Sequence, residues 1–170
     1  MQINHQYNYN TSVKKNLKIL IIDDDENVSL ILQDFLSIRG HFVDIVNEGT
    51  RGITKSLLQN YDIVFIDYHL NNDIPPNISK DDLTKENIMD GACVSEIINN
   101  SKALIFGYTG DSSTEAINKF KTSGADGIIF KPVEPKIINK LMQTLETKLK
   151  FDKFLISNAF RSLKTNIIIF

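Results

Sequence analysis

The chain has 170 residues, a length that fits one domain with a full hydrophobic core. It is 42% hydrophobic and 24% charged with a formal net charge of −2, which argues against a basic nucleic-acid-binding surface. One cysteine, Cys93, excludes an internal disulfide, and no apolar run approaches the roughly 20 residues that span a bilayer. With no apolar signal-peptide core at the N-terminus, the expected location is the cytoplasm, away from membranes. Cys93 lies in a helix-like segment and is expected as a small core residue.

Met1–Asn16 is rich in Asn, Gln and Tyr, has no sustained period, and reads as a flexible leader. Leu17–Ile22 is an aliphatic run interrupted only by Lys18. Lacking clean alternation, it predicts a strand covered on both faces, as in a parallel sheet. It runs directly into four acids, Asp23–Glu26. Crowded carboxylates resist ionising beside one another, and a hard divalent cation such as Mg²⁺ relieves that conflict. The plainer alternative is an acidic helix start, favoured by the helix dipole. Val28, Ile31, Leu32, Phe35, Leu36 and Ile38 follow at largely helical spacing, and Gly40 can end that helix.

Phe42–Val46 reads as a second strand and Gly49–Asn60 as a second helix. Asp62–Asp67 is a third strand ending in an acid. Asn71–Met89 then breaks the rhythm. It is polar, holds Pro75 and Pro76, and exceeds the about 12–15 residues usual for a structureless loop. Gly91–Asn99 is a short helix, Ala103–Gly107 a fourth strand, and Thr114–Thr122 a helix with Ala116, Ile117 and Phe120 inward. Gly127–Phe130 is a fifth strand. Glu134–Lys150 is an amphipathic helix through Ile137, Ile138, Leu141, Leu145 and Leu149. Residues 151–170 form an extension that could continue this helix, with an apolar end at Ile167–Phe170. Five strand–helix alternations imply a parallel sheet with helices on both faces.

Chemistry-bearing residues gather at strand ends. Asp23 and Asp24 follow the first strand, Asp67 ends the third, Thr109 follows the fourth, and Lys131 follows the fifth. In a flavodoxin-like doubly wound sheet of order 2-1-3-4-5 these ends share one edge, where open α/β sheets bind ligands. An acid pair, a lone carboxylate, a hydroxyl and an amine make a kit for phosphoryl transfer to a carboxylate.

The segments Ile-Ile-Asp-Asp-Asp, Phe-Ile-Asp-Tyr-His, Met-Asp-Gly, Tyr-Thr-Gly and Phe-Lys-Pro occur in the order found in the receiver domain of two-component response regulators, which residues 17–150 resemble. The resemblance implies that Asp67 is the phosphoacceptor, attacking phosphorus directly. It implies Mg²⁺ held by Asp24, Asp67 and the backbone carbonyl of His69, with Asp23 acting through water. Asp25 could shift this register by one, but the spacing to Asp67 favours Asp23 and Asp24, leaving Asp25 and Glu26 to start the helix. Thr109 would bond a phosphoryl oxygen, and Lys131 would pair with the phosphoryl group as a point charge. Lys131–Pro132 would be a cis peptide.

Three departures stand out. The loop after Asp67 is longer than the family's and can shield the site, dock a partner or simply be solvated. Ile128 stands three before Lys131, where the family often has an aromatic switch residue. Asp111, two past Thr109, occupies a position that tunes phosphate lifetime.

The reading is a single-domain response regulator taking a phosphoryl group from a histidine kinase or phosphotransfer protein and signalling to a downstream protein through changed binding. Its chemistry would be Mg²⁺-dependent self-phosphorylation and self-dephosphorylation. Alternatives are a receiver module from a hybrid kinase and a pseudo-receiver that only binds. A haloacid-dehalogenase-type phosphatase needs an acid two past its nucleophile, where His69 stands. The resemblance also suggests a weak homodimer through the face formed by Thr114–Thr122, Gly127–Phe130 and Glu134–Lys150, where Lys119, Lys121, Lys140 and Lys148 mix with Glu115, Asp126, Glu134 and Glu146.

Overall fold

A computed structural model describes residues 16–70, 89–99, 101–146 and 167–170. The leader to residue 15, residues 71–88 of the long loop, and residues 147–166 of the last helix and extension lie outside the described residues. The elements are β1 (Lys18–Ile22), α1 (Glu26–Ile38), β2 (Phe42–Val46), α2 (Gly49–Leu58), β3 (Ile63–Ile66), α3 (Gly91–Ile98), β4 (Leu104–Thr109), α4 (Thr114–Thr122), β5 (Gly127–Phe130), α5 (Pro135–Glu146) and β6 (Ile167–Ile169). They build one sheet of order β2-β1-β3-β4-β5-β6. The first five strands in that order pair in parallel, the order expected from the sequence, and β6 runs antiparallel on β5.

The unbroken apolar character of β1 has the anticipated cause. Ile19 and Ile21 pack on the side of α1 and α5, with Phe65, Phe106 and Leu141. Leu20 and Ile22 pack on the opposite side with Val64, Ile66 and Phe120. Ile19, Leu20, Ile21 and Ile22 are fully buried, each stabilising the fold by roughly 1.5–3 kcal/mol.

Local signals fix the helix ends. The Asp25 carboxylate caps α1 by accepting from the Asn27 and Val28 amides, at 3.0 and 3.2 Å. Gly40, at φ +90°, turns the chain out of α1 toward β2, and the His41 amide donates back to the Leu36 carbonyl at 3.2 Å. Asp90 caps α3 through the Cys93 amide, and Ser113 caps α4 through the Ala116 amide.

Three expectations change. Cys93 is exposed rather than in the core, because α3 turns Ala92, Val94 and Ile98 inward and leaves position 93 outside. Ile31, Ile38, Leu57 and Leu58 fit helical spacing yet face outward; Leu32 and Leu36 carry the core contact of α1. The apolar end Ile167–Ile169 is a sixth strand, so β5 is not the sheet's edge as the order 2-1-3-4-5 implied; the rest of the extension, where the helix could continue, lies outside the described residues. The face expected to receive a second copy therefore has β6 along one side.

Candidate functional site

The parallel register brings the C-terminal ends of β1, β3, β4 and β5 together at one edge. The Asp67 amide donates to the Ile22 carbonyl at 2.8 Å, which sets the residue after β3 beside the residue after β1. The Lys131 amide donates to the Thr109 carbonyl at 2.8 Å, which does the same for β5 and β4. Asp23, Asp24, Asp67, His69, Thr109 and Lys131, all singled out in the sequence, line one open cavity of about 620 Å³.

Lys131 stands between two carboxylates. Its Nζ is 2.6 Å from Asp23 Oδ2 and 3.1 Å from Asp67 Oδ1. Asp23 is almost completely buried, and Asp67 and Thr109 are buried as well. Burial pushes the Asp23 carboxyl above its usual range, while the Lys131 ammonium and the Asp25 amide, 3.0 Å from Asp23 Oδ1, pull the other way. The other oxygen of Asp67, Oδ2, accepts from the His69 amide at 3.2 Å. Oxygens of Asp23, Asp24 and Asp67 lie within 4.8 Å of one another. Three carboxylates against one ammonium leave negative charge in a partly dry site, and an all-oxygen donor set of this kind suits a hard divalent cation.

Thr109 Oγ1 accepts from the Asp111 amide at 3.1 Å, so the hydroxyl is seated in the turn after β4. Asp111 reaches back across the mouth, with its Oδ2 3.1 Å from His69 Nε2. Hydrogen bonds from Ser113, then the contact with His69, hold Asp111 below the usual carboxylate range. The sequence offered no metal-ligating partner for His69, and here the imidazole pairs with a carboxylate instead. Lys131–Pro132 is cis. Ile128 is fully buried, in the core on the side of the sheet that holds Leu20, Ile22 and Phe120. Asp25 is occupied as the α1 cap, as anticipated, and also lines the cavity.

Two contributors were not foreseen. Tyr108 lies under the site on the α1 side, with the Lys131 ammonium 5.1 Å from its ring centroid. Burial first, then the Asp23 and Asp67 charges, raise its phenol to about 12. Strand alternation puts Tyr108 on the face opposite its neighbours in β4, the one signal that could have pointed to it. Tyr68, next to Asp67, packs on Phe120 of α4 and lies 5.6 Å from Lys119 Nζ. Lys119 also pairs with Asp90, the α3 cap, at 3.0 Å. Tyr68 thereby ties the strand end carrying Asp67 to α3 and α4.

No family model matches the chain. The CAI-1 autoinducer sensor kinase/phosphatase CqsS of Vibrio cholerae is 26% identical over 126 residues, covering 71% of this chain and 16% of that protein. The response regulator ArlR of Staphylococcus saprophyticus is 27% identical over 133 residues, covering 78% of this chain and 52% of that protein. The chain thus spans about half or less of these relatives. Among solved structures, a two-component response regulator from Clostridium difficile superposes with a TM-score of 0.64 at 23% identity, covering 80% of this chain and all of that one. A CheY-like response regulator receiver domain protein from Methanospirillum hungatei gives 0.63 at 23% identity, over 77% and 94%. The fold is that of a response-regulator receiver domain, flavodoxin-like and doubly wound. No helix among the described residues is long and apolar enough to cross a membrane.

Proposed function

We propose that this chain is a phosphoacceptor receiver: Asp67 takes a phosphoryl group from the phosphohistidine of a histidine kinase or phosphotransfer protein. The observation that carries the reading is the placement of Lys131 Nζ between Asp23 and Asp67 beside the buried Thr109. An Asp67 oxygen attacks phosphorus in line, the P–N bond breaks, and the imidazole leaves with its electron pair and takes up a proton. Lys131 turns from the carboxylates toward the phosphoryl oxygens and offsets their charge. The Thr109 hydroxyl donates a hydrogen bond to another phosphoryl oxygen. The Asp111–His69 pair lies at the mouth, where hydrolytic water must enter.

Asp24, Asp67 and the His69 carbonyl would hold Mg²⁺ directly, and Asp23 through water. Bound there, the cation would neutralise the site and orient the incoming phosphoryl group. The output is changed binding to a downstream protein, in the cytoplasm, with self-dephosphorylation as the reset. The alignment with a sensor kinase equally supports a receiver module within a hybrid kinase, and the site chemistry is the same in both.

The test is incubation with acetyl phosphate and Mg²⁺, read by intact mass. One added phosphoryl group is expected. Asp24→Ala should weaken Mg²⁺ binding at least tenfold and slow labelling; a labelled protein whose Mg²⁺ titration is unchanged in Asp24→Ala would move the metal to other acids. Absence of labelling with Mg²⁺ bound would favour a pseudo-receiver.

A further inference from the structure

We infer that β6 is a built-in cap on the β5 edge, and that it keeps a second copy of this chain from pairing there. In the order β2-β1-β3-β4-β5-β6, the first five strands are each joined to helices that cover the sheet, and β5 would present an open edge were β6 absent. An open edge of β-branched residues is a template for another chain. β5 supplies Ile128 and Ile129, both fully buried.

The contact is fitted rather than incidental. β6 pairs Ile167, Ile168 and Ile169 with Ile129, Ile128 and Gly127. The Phe170 amide adds a bond to the Asp126 carbonyl at 3.0 Å. Ile167 and Ile169 pack against the core on the α1 and α5 side, and Phe170 against the core on the other, so the short strand grips both faces of the sheet. At Gly127 the three atoms nearest a would-be Cβ all belong to β6, and the methyl of an alanine would overlap the Ile168 carbonyl oxygen. Glycine at this position lets β6 approach.

The occupant excluded by the cap follows from the sequence. β6 and the residue after it read Ile168-Ile169-Phe170, and β5 reads Ile128-Ile129-Phe130. A second copy therefore brings, in its own β5, the same triplet that fills the slot here. Two β5 edges related by a two-fold axis would lie antiparallel, as β5 and β6 do. The pairing of β6 stops at Ile129, short of Lys131, so the cap closes the edge without covering the acidic cavity.

The Phe170–Asp126 bond and the turn of the Lys131 amide toward Thr109 make Ile128 the residue whose N–H faces β6. Its exchange rate reports the cap. The experiment compares the full chain, Gly127→Ala and a chain ending at Asn166 by sedimentation velocity and amide exchange, with no phosphodonor present, so that the result is independent of Asp67. The full chain should sediment as a monomer with the Ile128 amide protected. The truncated chain should form a concentration-dependent dimer, and added peptide Ile-Ile-Ile-Phe should return it to monomer; Gly127→Ala, whose methyl obstructs any strand at this edge, should lose the Ile128 protection without dimerising. Should Gly127→Ala fail to fold, the truncated chain decides alone. A dimeric full chain overturns the inference, as does a truncated chain that stays monomeric at the same concentrations.

Discussion

Gly91, the first residue of α3, rests directly on the backbone carbonyl of Asp67. A methyl group there would overlap that oxygen and press on Ile66. The Gly91 amide also donates to the Tyr68 carbonyl at 2.9 Å. Helix α3 is thus seated on the residue proposed to carry the phosphoryl group. Gly91→Ala must shift either the helix or the strand end, at a cost of about 1–3 kcal/mol. Denaturant unfolding should show that loss, and labelling by acetyl phosphate should slow with it.

Lys131→Met removes the ammonium that lies between Asp23 and Asp67. Asp23 is then buried beside another carboxylate with less compensation, so its carboxyl should move further above its usual range. Stability at neutral pH should fall by about 1–3 kcal/mol, a figure reduced for the open side of the cavity. The loss should shrink as pH is lowered, because protonation of the acids removes the repulsion. Mg²⁺ should bind the variant more tightly than the parent, while labelling falls. Weaker Mg²⁺ binding in the variant would contradict this charge balance.

Much of this site could be read in the sequence because its residues sit where apolar runs stop. Asp23 and Asp24 follow the fully buried Ile19–Ile22, and Asp67 follows Ile63–Ile66, so strand pattern and chemistry mark the same positions. β6 was not legible. Three isoleucines and a phenylalanine carry no periodicity, and their pairing with β5 is a long-range contact that depends on the absent side chain of Gly127. The outward positions of Cys93, Ile31 and Ile38 were missed for a related reason: spacing gives a helix its stripe but not how far the neighbouring elements cover it. The role of Gly91 needs the third dimension too, since Met-Asp-Gly names the glycine but not the carbonyl it rests on.

Tyr108 supplies a pH signature. Its phenol is raised from the ordinary value of 10.0 to about 12, first by burial and then by the Asp23 and Asp67 charges. Between these values the folded chain retains a proton that the unfolded chain releases. Its contribution therefore makes stability fall as pH rises through that window, by up to about 1.4 kcal/mol per pH unit. Below pH 10 the contribution is constant. Denaturant midpoints measured across the window should decline less steeply in Tyr108→Phe than in the parent; equal slopes would place the proton release elsewhere.

The central claim is that Asp67 is the phosphoacceptor, and the most direct measurement is intact-mass and peptide mapping of the parent and Asp67→Asn after acetyl phosphate and Mg²⁺. Asparagine keeps the shape and can still accept from the His69 amide, so the fold should persist with unchanged circular dichroism. The parent should gain one phosphoryl group on the peptide holding Asp67, and the variant none. Full labelling of Asp67→Asn, or labelling of the parent on another residue, would contradict the account.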